Sequence, residues 1–213
     1  MIRNIIFDMG NVLLRWDPQH IVSRFTADAE AQRRLRAAIF EDPDWAAQDA
    51  GAISEDEMRD HIRSRLPGEL HEAAMNCYDA FERHMLDIPD MQALALELKA
   101  EGHRIYVLSN ANTRFADYLQ GLSFFQQFDG IVISAREKLV KPDARLYRLA
   151  LERFGLRPEE SLFIDDAQAN VEGARAVGMA ALRFDGDVGR IRAEMKKLGL
   201  LSGTGSARGA SNH

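Results

Sequence analysis

The chain has 213 residues, 46% of them hydrophobic and 28% charged, and a net charge of −6. That balance suits a folded protein with a sizeable core and argues against disorder, while the negative charge disfavours non-specific binding to nucleic acid or to an anionic membrane. One cysteine, Cys77, excludes an internal disulfide framework and fits a reducing compartment, and no apolar run reaches the length of a membrane span.

The first element is the apolar run Asn4–Phe7, which delivers Asp8 and then turns through Gly10 and Asn11 (FDMGNV). The break at Asp8 comes too early for a signal peptide, so the cytoplasm is the expected location. From Arg15 to Leu86 no strand is readable. Amphipathic patterns there predict helices over Ile21–Phe25, Ala31–Ile39, Glu55–Arg65 and Glu69–His84. Roughly seventy helical residues exceed an ordinary crossover and predict an inserted helical subdomain.

Beyond it, helices over Met91–Ala100, Ala144–Phe154 and Val171–Val177 alternate with strands over Arg104–Leu108, Gly130–Ser134, Ser161–Ile164 and Ala180–Phe184. Gly102, Gly155 and Gly178 stand where helix C-caps belong. The strands are apolar without alternation, as in strands covered on both faces. An α/β fold with a doubly wound parallel sheet follows. Its core would comprise residues 1–14 and 87–200, the helical insertion residues 15–86, and a flexible polar tail residues 201–213.

In an open parallel sheet, ligands bind beyond the carboxyl ends of the strands. Those ends carry Asp8 in the first strand, Ser109 and Asn110 in the second (VLSNAN), and Asp165 and Asp166 in the fourth (FIDDAQAN). Lys141 lies in the loop after the third strand (KPDARLY). Three carboxylates against one lysine at a partly buried edge call for a cation, and Mg²⁺, which favours oxygen ligands and keeps several waters, is the natural choice. Such a site invites a phosphate, with Ser109 and Lys141 around it and Asp8 placed to attack phosphorus.

FDMGNV, VLSNAN, KPDARLY and FIDDAQANVEGA together resemble the four ordered motifs of the haloacid dehalogenase-like hydrolase superfamily, subfamily IA. The resemblance covers nearly the whole chain apart from the tail. DMGNVLLRWDP is similar to the subgroup that includes glucose-1-phosphatase-type enzymes. The resemblance implies a Rossmann-like core with a helical cap, and Mg²⁺-dependent hydrolysis of a small sugar phosphate or related phosphorylated metabolite. Asp8 would be nucleophile and metal ligand, and Gly10 would offer its carbonyl to the metal. Ser109 and the Asn110 amide would hold phosphate oxygens, and Lys141 would steady nucleophile and phosphate. Asp166 would be the principal acidic ligand of the fourth motif, with Asp165 beside it and Asn170 orienting the loop. No nucleic-acid or membrane partner is expected, and the chain would act as a monomer or homodimer.

One departure matters. Most phosphatases of the superfamily carry an aspartate two residues after the nucleophile as general acid and base, where this chain has Gly10. A positioned general acid contributes about 10²–10⁴-fold. A good leaving group, an ordered water or a residue of the cap could replace it. Asp17 and His20 are the nearest candidates, although Asp17 before Pro18 also reads as a helix N-cap. Arg15 and Trp16 could edge the pocket. Trp45 and Asp49, before Gly51, lie where a cap could reach the core, with packing or solvated roles as the plainer reading. Two other functions compete: a metal-independent 2-haloacid dehalogenase, and a phosphate-binding protein without turnover.

Overall fold

The computed structural model describes residues 1–201. The chain runs through β1 (Asn4–Phe7) and β2 (Leu14–Arg15) into five helices: α1 (Pro18–Ser23), α2 (Ala29–Ile39), α3 (Pro43–Asp49), α4 (Glu55–Arg65) and α5 (His71–Ala80). It returns through β3 (Leu86–Asp87), α6 (Pro89–Ala100), β4 (Arg104–Ser109) and α7 (Thr113–Gln120). Next come β5 (Gly130–Ile133), α8 (Ser134–Glu137), α9 (Ala144–Arg153) and β6 (Ser161–Asp165), then α10 (Gln168–Ala176), β7 (Ala180–Arg183) and α11 (Val188–Lys197).

Five strands form one parallel sheet in the order β5-β4-β1-β6-β7. This is an α/β fold. Ile5 and Phe7 of β1 face a core shared with Met91, Leu94 and Leu98 of α6 and Ile191 and Met195 of α11. Ile6 faces the opposite core, with Phe163, Leu146 and Tyr147 of α9 and Val171 of α10. Burial on both sides is why these strands lack polar alternation. Each large apolar side chain so buried contributes about 1.5–3 kcal/mol before its ordering cost. The chain steps from β1 outward through β4 and β5, then crosses back to β6 on the other flank. Strand order therefore reverses around β1, and the C-terminal ends of β4, β1 and β6 lie side by side.

Local chemistry sets the helix starts. Aspartates 17, 28 and 42 accept backbone hydrogen bonds as N-caps of α1, α2 and α3, and Ser54 with Glu57 makes a capping box on α4. Helices α3, α7, α8 and α11 add to those that periodicity predicts. Glu69–His84 is not one helix, because 3-10 turns at Gly68–Leu70 and Phe81–His84 bracket α5. The expectation of no strand from Arg15 to Leu86 needs correction at its two ends. Arg15 pairs with Leu86, and Leu14 with Asp87, in a two-stranded antiparallel ribbon at the neck of the insertion. Two residues are too few for a period-2 pattern to show. Leu201, placed by sequence at the start of the tail, is buried in the core; the rest of the expected tail lies outside the described residues.

Candidate active site

Asp8 directly follows β1, its N–H donates to the Ile164 carbonyl at 2.8 Å, and the chain then folds back sharply. The Met9 carbonyl accepts from Val12, Leu13 and Leu14, while Asn11 adopts a left-handed conformation at φ 55°. Asparagine tolerates that region better than most side chains, which accounts for its place after Gly10. Its side chain accepts from Trp16 N–H at 3.1 Å and donates to Asp166 Oδ2 at 3.1 Å. The turn is thereby tied to the end of β6. Sequence reasoning saw Asn11 only as a turn residue.

Asp8 Oδ1 accepts from Met9 N–H at 2.7 Å and from Lys141 Nζ at 2.8 Å. Lys141 Nζ also donates to Asp165 Oδ2 at 2.7 Å, so one buried ammonium bridges the acids of β1 and β6. Asn110 holds this lysine in place: its side chain donates to the Lys141 carbonyl at 3.1 Å and accepts from Lys141 N–H at 2.8 Å. The Asn110 carboxamide is spent on that clamp. Ser109, at the end of β4, is buried and lines the same cavity as Asp8.

The two aspartates of β6 and its exit divide their contacts. Asp165, fully buried, accepts from Lys141, from Ala167 N–H at 2.8 Å and from Asn170 Nδ2 at 3.0 Å. Among the described residues, the carboxylate of half-buried Asp166 accepts only from Asn11, and Asp166 lines the cavity. Asp8, Asp165 and Asp166 each offer a carboxylate oxygen within 4.8 Å of the others. Three hard oxygen donors against a single lysine fit a divalent cation such as Mg²⁺.

The electrostatics agree with that need. Burial pushes the Asp8 carboxyl up to about 6, Lys141 opposes the rise and Asp165 adds to it. Burial alone would lower the Lys141 ammonium, but Asp8 and Asp165 overturn that and hold it above its ordinary value. Positive charge beside Asp8 would keep it ionised.

A cavity of about 190 Å³ opens over these groups, walled by Met9, Trp16, Trp45, Phe81, Met85 and Phe115. Trp16 and Trp45 lie 5.2 Å apart, and Trp45 meets Phe81 edge-on at 5.1 Å. The helical insertion thus roofs the sheet edge with aromatic rings. Phe81, Met85 and Phe115 carry no readable sequence signal, because they reach the site only through packing. Asp49, at the end of α3, also lines the cavity. Asp17 does not: it caps α1 by accepting from His20 N–H at 2.9 Å. Arg15 is exposed and borders a neighbouring depression.

Residues 2–178 match the family model of the haloacid dehalogenase-like hydrolases. A sesquiterpene phosphatase (astK) of Aspergillus oryzae is 31% identical over 84% of this chain and 88% of its own length. A phosphoserine phosphatase of Thermus thermophilus is 32% identical over 55% of this chain, which spans 49% of that enzyme. A solved structure of a family enzyme from Bacteroides thetaiotaomicron, in complex with magnesium and inorganic phosphate, superposes with a TM-score of 0.66 at 25% identity. That match covers 88% of this chain and 96% of the other.

Proposed function

The chain belongs to the haloacid dehalogenase-like hydrolase family and is a phosphatase of that family; from this premise we propose that it is Mg²⁺-dependent and hydrolyses a small phosphomonoester through a phosphorylated Asp8. The observation that carries the reading is the Asp8–Lys141–Asp165 bridge, with Asp166 beside it and a cavity above. Asp8, Asp166 and the Gly10 carbonyl would hold Mg²⁺, with Asp165 positioning Lys141 and the loop. When bound, Mg²⁺ supplies positive charge to the phosphoryl oxygens.

The chain's own groups do the rest. Lys141 holds one Asp8 oxygen, which orients the carboxylate and leaves the other oxygen to attack phosphorus. Ser109 and the Asn110 backbone N–H receive phosphoryl oxygens. The insertion acts as a cap and keeps bulk water from the phosphorylated aspartate. Cytoplasmic residence fits the buried, free Cys77, and among the described residues no helix is long and apolar enough to cross a membrane.

The leaving group is a separate question. The motif pattern points to a sugar phosphate, but the walls favour a more apolar alcohol. Asn11 and Asn110 in the lining spend their side chains on Asp166 and the Lys141 backbone, which leaves sugar hydroxyls few partners beyond Asp49 and Asn112 against the aromatic roof. The Aspergillus relative, named a sesquiterpene phosphatase, leans the same way. Three crowded carboxylates count against metal-free dehalogenation, and an aspartate held for attack counts against binding without turnover.

A phosphate-release screen over sugar, alkyl and aryl phosphates tests this. Mg²⁺ should support turnover, and removing the metal with a chelator should reduce it about a hundredfold or more, reversed by added Mg²⁺. Activity that survives chelation and releases halide from a 2-haloacid would sink the proposal.

A further inference from the structure

Gly10 leaves Asp8 without an acidic neighbour on its own loop, yet the departing alcohol must gain a proton and the attacking water must lose one. We propose that Asp49, at the end of α3, is the proton donor and acceptor of this reaction, acting from the roof of the cavity. The inference rests on the phosphorylated-Asp8 reading above.

Asp49 shares the cavity wall with Asp8, Ser109, Lys141 and Asp166, which are the charged and phosphate-facing groups opposite it. Those other acids are engaged, Asp8 by Lys141 and Asp166 by Asn11. Among the described residues, the Asp49 carboxyl makes no hydrogen bond or ion pair, although its backbone is firmly held. Ser134 Oγ donates to the Asp49 carbonyl at 2.5 Å and accepts from Ala111 N–H at 2.9 Å, two residues beyond Ser109. Gly51 follows at φ 66°, packed so closely on α8 that a Cβ there would collide with the Ala135 carbonyl. The end of α3 is thus pinned to the same loop that would receive the phosphate. A structural cap would be bonded; this carboxyl is unbonded and half-buried in the cavity wall.

The surroundings suit proton transfer. Trp45 and Phe81 share the cavity wall with Asp49, and burial pushes its carboxyl up to about 7. At neutral pH such a group is protonated in part, ready to give a proton and able to take one back. In the first step a bond forms between Asp8 Oδ and phosphorus while the bond to the ester oxygen breaks. The Asp49 proton goes to that oxygen and frees the alcohol. In the second step Asp49, now a carboxylate, takes a proton from water as the water oxygen bonds phosphorus. The Asp8–phosphorus bond breaks, and both aspartates return to their starting states.

The test is Asp49→Asn, assayed with Mg²⁺ on hexyl phosphate and on 4-nitrophenyl phosphate, whose alcohol leaves without protonation. Hexyl phosphate turnover should fall about 100-fold or more. Nitrophenyl phosphate should still give a burst of one nitrophenolate per enzyme, followed by slow turnover as phosphorylated Asp8 accumulates. A Cβ at Gly10 would meet nothing within 4 Å, so Gly10→Asp in the Asp49→Asn background should restore at least tenfold of the lost alkyl turnover. Unchanged hexyl turnover in Asp49→Asn overturns the proposal. Loss of the nitrophenolate burst with turnover also overturns it, since that marks a residue that only shapes the site. Wild-type enzyme with neither burst nor phosphate release would instead bring down the phosphorylated-Asp8 reading itself.

Discussion

Asp8→Asn should lose phosphate release by about 10⁴-fold or more while remaining folded, because the carboxamide keeps the shape of the side chain but cannot form the covalent bond. The stability half of this expectation follows from the Asp8 environment. Its folded-state value, about 6, lies above the ordinary 3.8, so above pH 6 the ionised carboxylate costs the fold something that a neutral carboxamide does not. In metal-free protein at pH 7.5 the melting midpoint of Asp8→Asn should equal or exceed that of the wild type. Transfer of labelled phosphate onto the protein should vanish in parallel. Full turnover by Asp8→Asn would end the proposed mechanism, and a lost fold would show that the Asp8–Lys141 contact matters more to stability than the Asp8 titration indicates.

Lys141→Met should damage both activity and stability. The methionine fills similar volume against Phe163, whose ring lies 5.4 Å from Lys141 Nζ, but leaves Asp8 and Asp165 facing one another without a cation. Removing one partner of a buried ion pair costs about 3–5 kcal/mol. For a chain of this size that lowers the melting midpoint by roughly 10 °C or more in metal-free protein. Turnover should fall about 10²–10³-fold. The stability loss has a pH signature. Without the lysine, Asp8 loses the charge that opposes its upward shift and binds a proton still more readily in the folded state than in the unfolded one, so lowering the pH favours the fold. The gap in melting midpoint between variant and wild type should therefore narrow from pH 8 to pH 5.5. A gap that widens toward acid would show that the ammonium does not neutralise these acids.

The sheet was legible because its strands are buried on both faces, which writes them as plain apolar runs. Asn4–Phe7 matches β1 to the residue, and Arg104–Leu108 and Ser161–Ile164 each fall one residue short of β4 and β6. The strand-end rule then located Asp8, Ser109, Lys141 and the two adjacent aspartates, and the fold gathers them at one edge. The resemblance ranked Asp166 ahead of Asp165, but the contact of Asp165 with Lys141 was not legible. Neighbours in sequence, they part company because one sits inside the strand end, against Lys141 and Asn170, and the other just beyond it. The short helix α3 carried a start signal in Asp42-Pro43, but seven residues offer too little periodicity to read. Asp49 was noticed without a role, since its place in the cavity wall depends on Phe81 and Ser134, which only folding brings near. Asn110 shows the same limit: the family resemblance implied phosphate binding, while its side chain is taken by the Lys141 backbone.

The paired indoles have a practical side. The chain contains two tryptophans, Trp16 and Trp45, and both sit in the roof over the nucleophile, 5.2 Å apart. Nearly all of the protein's intrinsic long-wavelength emission therefore originates at one spot. An arriving phosphate ester would change the polarity around both emitters at once, so its entry and departure could be followed in a stopped-flow fluorimeter with no attached dye.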